Sequence, residues 1–114
     1  MRQDRLYLQH ILDAIAKIES YSAVGREQFI AQSLWHDAAI RQLEIFGEAS
    51  KKLSTLLKEA HPQIPWRRVA GLRDVLIHEY FGVDLAMVWA VIQRDLPALK
   101  QTVTAMLASQ GGEQ

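Results

Sequence analysis

Leu8, Ile11, Leu12, Ile15 and Ile18 recur at steps of three and four residues. That spacing gathers them on one face of an α-helix and would scatter them over both faces of a strand. The same rhythm runs along most of the chain. Leu34, Ala38, Ala39, Leu43, Phe46, Ala49, Leu53, Leu56 and Leu57 make a second stripe. Val88, Val91, Ile92, Leu96, Leu99, Val103, Met106 and Leu107 make a third. No segment shows strict two-residue alternation, so no strand is expected. The expected fold class is all-α, an antiparallel four- to five-helix bundle.

Helix-breaking residues set the boundaries. A first helix is expected over about Asp4–Tyr21, closed by Gly25, with a short helical turn over Arg26–Gln32. A long helix is expected from about Leu34 to Ala60, with Gly47 in its interior as a point of close helix packing. His61-Pro62 and Ile64-Pro65 end it. A third helix starts near Pro65 or Trp66, because proline suits a first turn, and runs to about Glu79, with Tyr80-Phe81-Gly82 as its stop. Asp84 is a natural N-cap for the last helical segment, and Pro97 should kink or restart that segment with Asp95 as a second cap. One domain is expected over residues 1–109, with a disordered tail over residues 110–114.

Composition narrows the functional classes. The 114 residues contain no cysteine, which removes disulfide frameworks and thiolate metal sites. No apolar run approaches the roughly 18 residues needed to span a bilayer. The start, Met1-Arg2-Gln3-Asp4-Arg5, is charged and leads straight into a periodic helix, unlike a signal peptide. A cytoplasmic protein without membrane contact is expected. Formal net charge is zero, so no whole-molecule basic field exists, and nucleic acid would have to be held by a local basic cleft.

The polar groups most suited to chemistry crowd one stretch: Arg67, Arg68, Arg73, Asp74, His78 and Tyr80. Asp74 and His78 are four apart, within hydrogen-bonding reach on one helical face. A carboxylate there can fix the tautomer of an imidazole and raise its pKa. Arg73 and His78 are five apart, so on an ideal helix they diverge by about 140°. Two copies of the helix facing each other across a two-fold axis would let each arginine meet the other's histidine, which favours a site at a dimer interface. RNA carries its own nucleophile, the 2′-hydroxyl. A histidine can move that proton or supply one to the leaving group, and an arginine fork can hold the phosphate, with no metal required. A lone Arg-x4-His spacing recurs by chance in helices, and a histidine near a helix C-terminus is stabilised by the helix dipole without any function.

The surroundings add weight. Gly71-Leu72-Arg73-Asp74-Val75-Leu76-Ile77-His78-Glu79-Tyr80, with Asp84-Leu85 and Val88-Trp89 beyond it, resembles the signature of the HepT-like family of the HEPN superfamily. That signature is arginine, a polar residue, about three apolar positions, histidine, any residue, tyrosine. Ile40-Arg41-Gln42-Leu43-Glu44-Ile45-Phe46-Gly47-Glu48-Ala49 is similar to the family's other recurrent block. The resemblance covers about residues 4–108. It implies a HEPN-like bundle that forms a homodimer, with a metal-independent endoribonuclease site in the cleft between protomers. Arg73 and His78 match its catalytic pair. Asp74, in a supporting role, stands where many members carry asparagine. The resemblance also implies the toxin of a type VII-like toxin–antitoxin pair. Its antitoxin would be a minimal nucleotidyltransferase that silences it by transferring AMP to Tyr80. No cofactor and no bound metal are implied.

Arg67 and Arg68 fit either an RNA path or a solvated face. Trp35, Trp66 and Trp89 read as core or interface residues rather than base-stacking platforms. Arg41, Glu44 and Glu48 fit a structural ion-pair set or the wall of a cleft. His10, His36 and His61 have no second ligand at metal spacing. Gly71, two residues before Arg73, would let equivalent helices of two protomers approach closely. A second reading stays open: a non-catalytic helical dimer module that recruits a nucleotidyltransferase partner. A subunit that only binds nucleotides lacks a glycine-rich phosphate loop.

Overall fold

The computed structural model describes residues 2–71 and 84–111. Every regular element among them is helical, as the three- and four-residue spacing predicts. The helices are α1 (Arg2–Ser22), α2 (Arg26–Ala31), α3 (Ser33–Lys51) and α4 (Thr55–Ala60), then a stretch over residues 66–71 (α5), α6 (Leu85–Arg94) and α7 (Leu96–Gly111).

Helix α1 buries the first stripe except for Leu12, which is half-buried: Leu8, Ile11, Ile15 and Ile18 have no exposure, and Ala14 has 1%. Its main neighbour is α3, which turns Ala39, Ile40, Leu43, Phe46 and Ala49 toward it, and α7 adds Val103 and Met106 to the same core. Burying a leucine, isoleucine or phenylalanine side chain is worth about 1.5–3 kcal/mol, so this shared core holds the bundle together. The α1–α3 pair is antiparallel. The Lys52 Nζ at the end of α3 lies 5.8 Å from the ring centroid of Tyr7 near the start of α1. At the opposite end Gly25 adopts φ +94°, a backbone that side chains resist, and turns the chain into α2. There Phe29, fully buried, packs 5.2 Å from Trp89 of α6.

The long helix expected from Leu34 to Ala60 is two helices. It begins one residue earlier, at Ser33, and α3 stops at Lys51. Ser54 then caps α4, its Oγ accepting from the Leu57 N–H at 3.2 Å. The physical reason lies 50 residues upstream. Asp4 is 3% exposed, and its carboxylate accepts from the Ser54 N–H at 2.7 Å and the Ser54 Oγ–H at 2.6 Å. These bonds hold Ser54 in an extended conformation, so the helix cannot run through it. The break shifts the apolar register. Leu53 and Leu57 stay inside, whereas Leu56, expected in the core stripe, is 77% exposed. Leu34 at the start of α3 is 68% exposed, again against its place in the stripe.

The other boundaries follow local chemistry. The Pro65 carbonyl accepts from the Val69 N–H at 3.0 Å, which opens α5. Asp84 caps α6, its Oδ1 accepting from the N–H groups of Ala86 (3.0 Å) and Met87 (3.2 Å). The helix restarts at Asp95, with Pro97 in the first turn of α7. Asp95 does not act through its side chain as a second cap. Its carboxylate is taken by the Arg94 guanidinium, with Nε–Oδ1 at 3.1 Å. Helix α7 covers Gln110 and Gly111, where the tail was expected to begin, and residues 112–114 lie outside the described part. No helix among the described residues is long and apolar enough to cross a membrane.

Candidate functional site

Arg73, Asp74, His78 and Tyr80 lie outside the described residues, as do the expected end of the third helix and its Tyr80-Phe81-Gly82 stop. What the structure gives is the frame that leads into and out of this stretch. On the upstream side Trp66 anchors α5. Its indole Nε1–H is shared between the carbonyls of Lys58 (3.1 Å) and His61 (3.0 Å). Both carbonyls lie at the end of α4 and also accept backbone N–H groups, Lys58 from His61 at 3.1 Å and His61 from Ile64 at 3.3 Å, so the indole is a second donor there and ties the start of the next helix to that end. On the downstream side the Asp84 cap fixes the start of α6.

Arg67 and Arg68 occupy the first turn of α5, and both are exposed. Arg68 also borders a cleft of about 730 Å³ between α3, α5 and the α6–α7 junction. Leu43, Phe46, Ile64 and Val69 give the cleft apolar walls, and Arg94 and Asp95 stand on its far side. The hydrogen bond from Arg94 to Asp95, with the charge of that carboxylate, raises the pKa of the guanidinium above its ordinary value. Sequence reasoning passed over Arg94. Its distance of 26 positions from Arg68 carries no periodic signal. Among the described residues, a Cβ built at Gly71 meets nothing within 4 Å.

The remaining candidates resolve into structural roles. His36 places Nδ1 2.9 Å from the Phe29 carbonyl oxygen and Nε2 3.6 Å from Asp37 Oδ1, and its ring packs edge-on to Phe29. Those contacts tie α2 to α3. All three tryptophans pack against the core. The Trp35 Nε1–H is also satisfied, donating to Gln32 Oε1 at 3.1 Å. Arg41 and Glu44 approach to 4.0 Å with Arg41 largely exposed, a pair worth little in stability. Among the described residues no group of histidines and carboxylates is arranged to hold a metal ion.

The comparisons with known proteins fall on the whole helical frame. A family model described as ribonuclease HepT-like matches residues 11–106. A Thermococcus cleftensis protein named probable ribonuclease HepT is 44% identical over 100 residues, covering 87% of this chain and 91% of its own. A Caldanaerobacter subterraneus protein named as a candidate RNase is 40% identical over 108 residues, covering 94% of this chain and 96% of its own. A Methanocaldococcus jannaschii protein, whose name joins gamma-glutamylcyclotransferase to a candidate RNase, is 42% identical over 109 residues. That match takes 94% of this chain but only 49% of the longer relative. No solved structure matches. With the family model spanning residues 11–106 and full-length relatives at 40–44% identity, this chain belongs to the HepT-like ribonuclease family.

Proposed function

We propose that this protein is a metal-independent endoribonuclease whose site is built from Arg73 and His78 in the cleft of a homodimer. The supporting observation is that the family match, over residues 11–106, includes the Arg73–Tyr80 stretch. In the proposed reaction His78 takes the proton from the RNA 2′-hydroxyl. The freed oxygen attacks the adjacent phosphorus, and the bond to the 5′-oxygen breaks. That oxygen takes up a proton, and a 2′,3′-cyclic phosphate is left. Arg73 holds the non-bridging oxygens and offsets the charge that grows on them. Asp74 orients the imidazole, and Arg67 and Arg68 hold RNA outside the reacting centre.

The same reading makes the protein the toxin of a toxin–antitoxin pair, with a minimal nucleotidyltransferase as antitoxin. AMP on Tyr80 would set bulk and a negative phosphate beside Arg73 and His78, repelling RNA on steric and electrostatic grounds. Zero net charge and the acidic Asp74 are the two features on which the second reading rests, a non-catalytic module that binds the nucleotidyltransferase.

The deciding experiment is RNA cleavage in EDTA by the wild type, Arg73→Ala and His78→Ala. The expected result is cutting by the wild type, with both variants folded and at least about 100-fold slower, the usual scale for losing an acid–base group. An inactive wild type whose intact mass shows no added AMP would reject the ribonuclease reading in favour of the binding module.

A further inference from the structure

Zero net charge conceals a separation of charge along the bundle. The Asp4–Ser54 hydrogen bonds join the start of α1 to the start of α4. Lys52 over Tyr7 joins the end of α3 to α1, and Trp66 joins the start of α5 to the end of α4. These links bring together Arg5, Lys51, Lys52, Lys58, Arg67 and Arg68. All are exposed except Lys58, which is half-buried. Acidic groups on the same segments are sparse. Among the described residues of these segments, Asp4 is buried and engaged by Ser54, Glu44 and Glu48 are half-buried, and Glu59 is exposed.

The other end is balanced. Lys17, Arg26 and Lys100 are accompanied there by Glu19, Glu27 and Asp37, and Lys100 Nζ lies 3.0 Å from Glu19 Oε1. Twelve helical residues, about 18 Å, separate Arg5 from Lys17 along α1. That exceeds the screening length of about 8 Å at physiological salt, so a ligand at the cationic end does not feel the compensating charges.

We propose that this cationic end binds the backbone of single-stranded RNA, and that the RNA surface extends from Arg67 and Arg68 over Lys58 to Lys51, Lys52 and Arg5. The inference rests on the ribonuclease reading. RNA is favoured over an acidic protein because α5 carries Arg67 and Arg68 within six residues of Arg73.

The test uses the full chain carrying His78→Ala, so that RNA survives, and measures Kd for a fluorescent single-stranded RNA at 50–200 mM salt. Adding Lys51→Gln, Lys52→Gln and Lys58→Gln should lower the slope of log Kd against log salt by about 2, near 0.7 for each cation. That is about a 16-fold smaller loss of affinity across the range. Lys17→Gln with Arg26→Gln, at the balanced end, should leave the slope unchanged. Circular dichroism confirms that each variant is folded. If the slope survives the triple substitution, or falls equally in the control, the surface is elsewhere. The active parent assayed in EDTA separates the two failures. If it cuts RNA while the slope stays fixed, only the surface assignment fails. If it neither cuts nor binds and its intact mass shows no added AMP, the ribonuclease reading fails and takes this inference with it.

Discussion

Asp4→Ala is the most informative single change to the fold. The carboxylate is 3% exposed and accepts two hydrogen bonds from Ser54, at 2.7 and 2.6 Å. A hydrogen bond to a charged group contributes about 1.5–3 kcal/mol, so the two together bound the loss at about 3–6 kcal/mol. Ser54 is only half-buried, so water will satisfy part of what the carboxylate leaves, and the expected cost is about 2–4 kcal/mol. For a chain of 114 residues each kcal/mol moves Tm by about 4 °C, which predicts a fall of about 8–16 °C.

Scanning calorimetry of Asp4→Ala, Ser54→Ala and the double variant would measure it. Because each side chain works through the other, the double variant should be less destabilised than the sum of the singles, by about 1–3 kcal/mol. A Tm within 2 °C of wild type for Asp4→Ala would refute the view that this contact joins α1 to α4. Strict additivity would refute the coupling even if both single variants were unstable.

Two further predictions concern the core and the dimer. Phe29→Ala empties a fully buried site against Trp89 and should cost about 3–5 kcal/mol, read as a drop in the denaturant midpoint at unchanged m-value. Gly71→Leu adds a side chain where no described residue lies within 4 Å of the added Cβ, so the monomer fold should hold while a homodimer packed there weakens by about tenfold or more in Kd. An unchanged mass by sedimentation at micromolar concentration would remove Gly71 from the dimer contact.

Several local features were legible from residue type alone. The start of α5 beside Pro65, the Asp84 cap and the restart near Pro97 each depend on one residue and its neighbours within a turn. The failures involve partners far apart in the chain. Nothing in Leu34–Ala60 marks Ser54 as a helix break, because a serine capping α4 and a serine inside a helix look alike until Asp4 is placed against it. The exposure of Leu56 is a direct consequence of that break. The apposition of Arg68 and Arg94 across one cleft was equally hidden, since α5 and the end of α6 meet only after the bundle closes.

The candidate chemistry was read from an ordered run of residue types, Arg73, Asp74, His78 and Tyr80, together with the family resemblance around it. By itself the sequence determined the all-α class, most helix starts and stops, and membership in the HepT-like ribonuclease family. These rest on local periodicity, capping and residue order, all properties of short stretches of chain. Only the tertiary structure decided where the long helix divides, which leucines leave the core, and that six cations gather at one end of a chain with no net charge. Those outcomes depend on contacts between residues tens of positions apart, and no local rule carries that information.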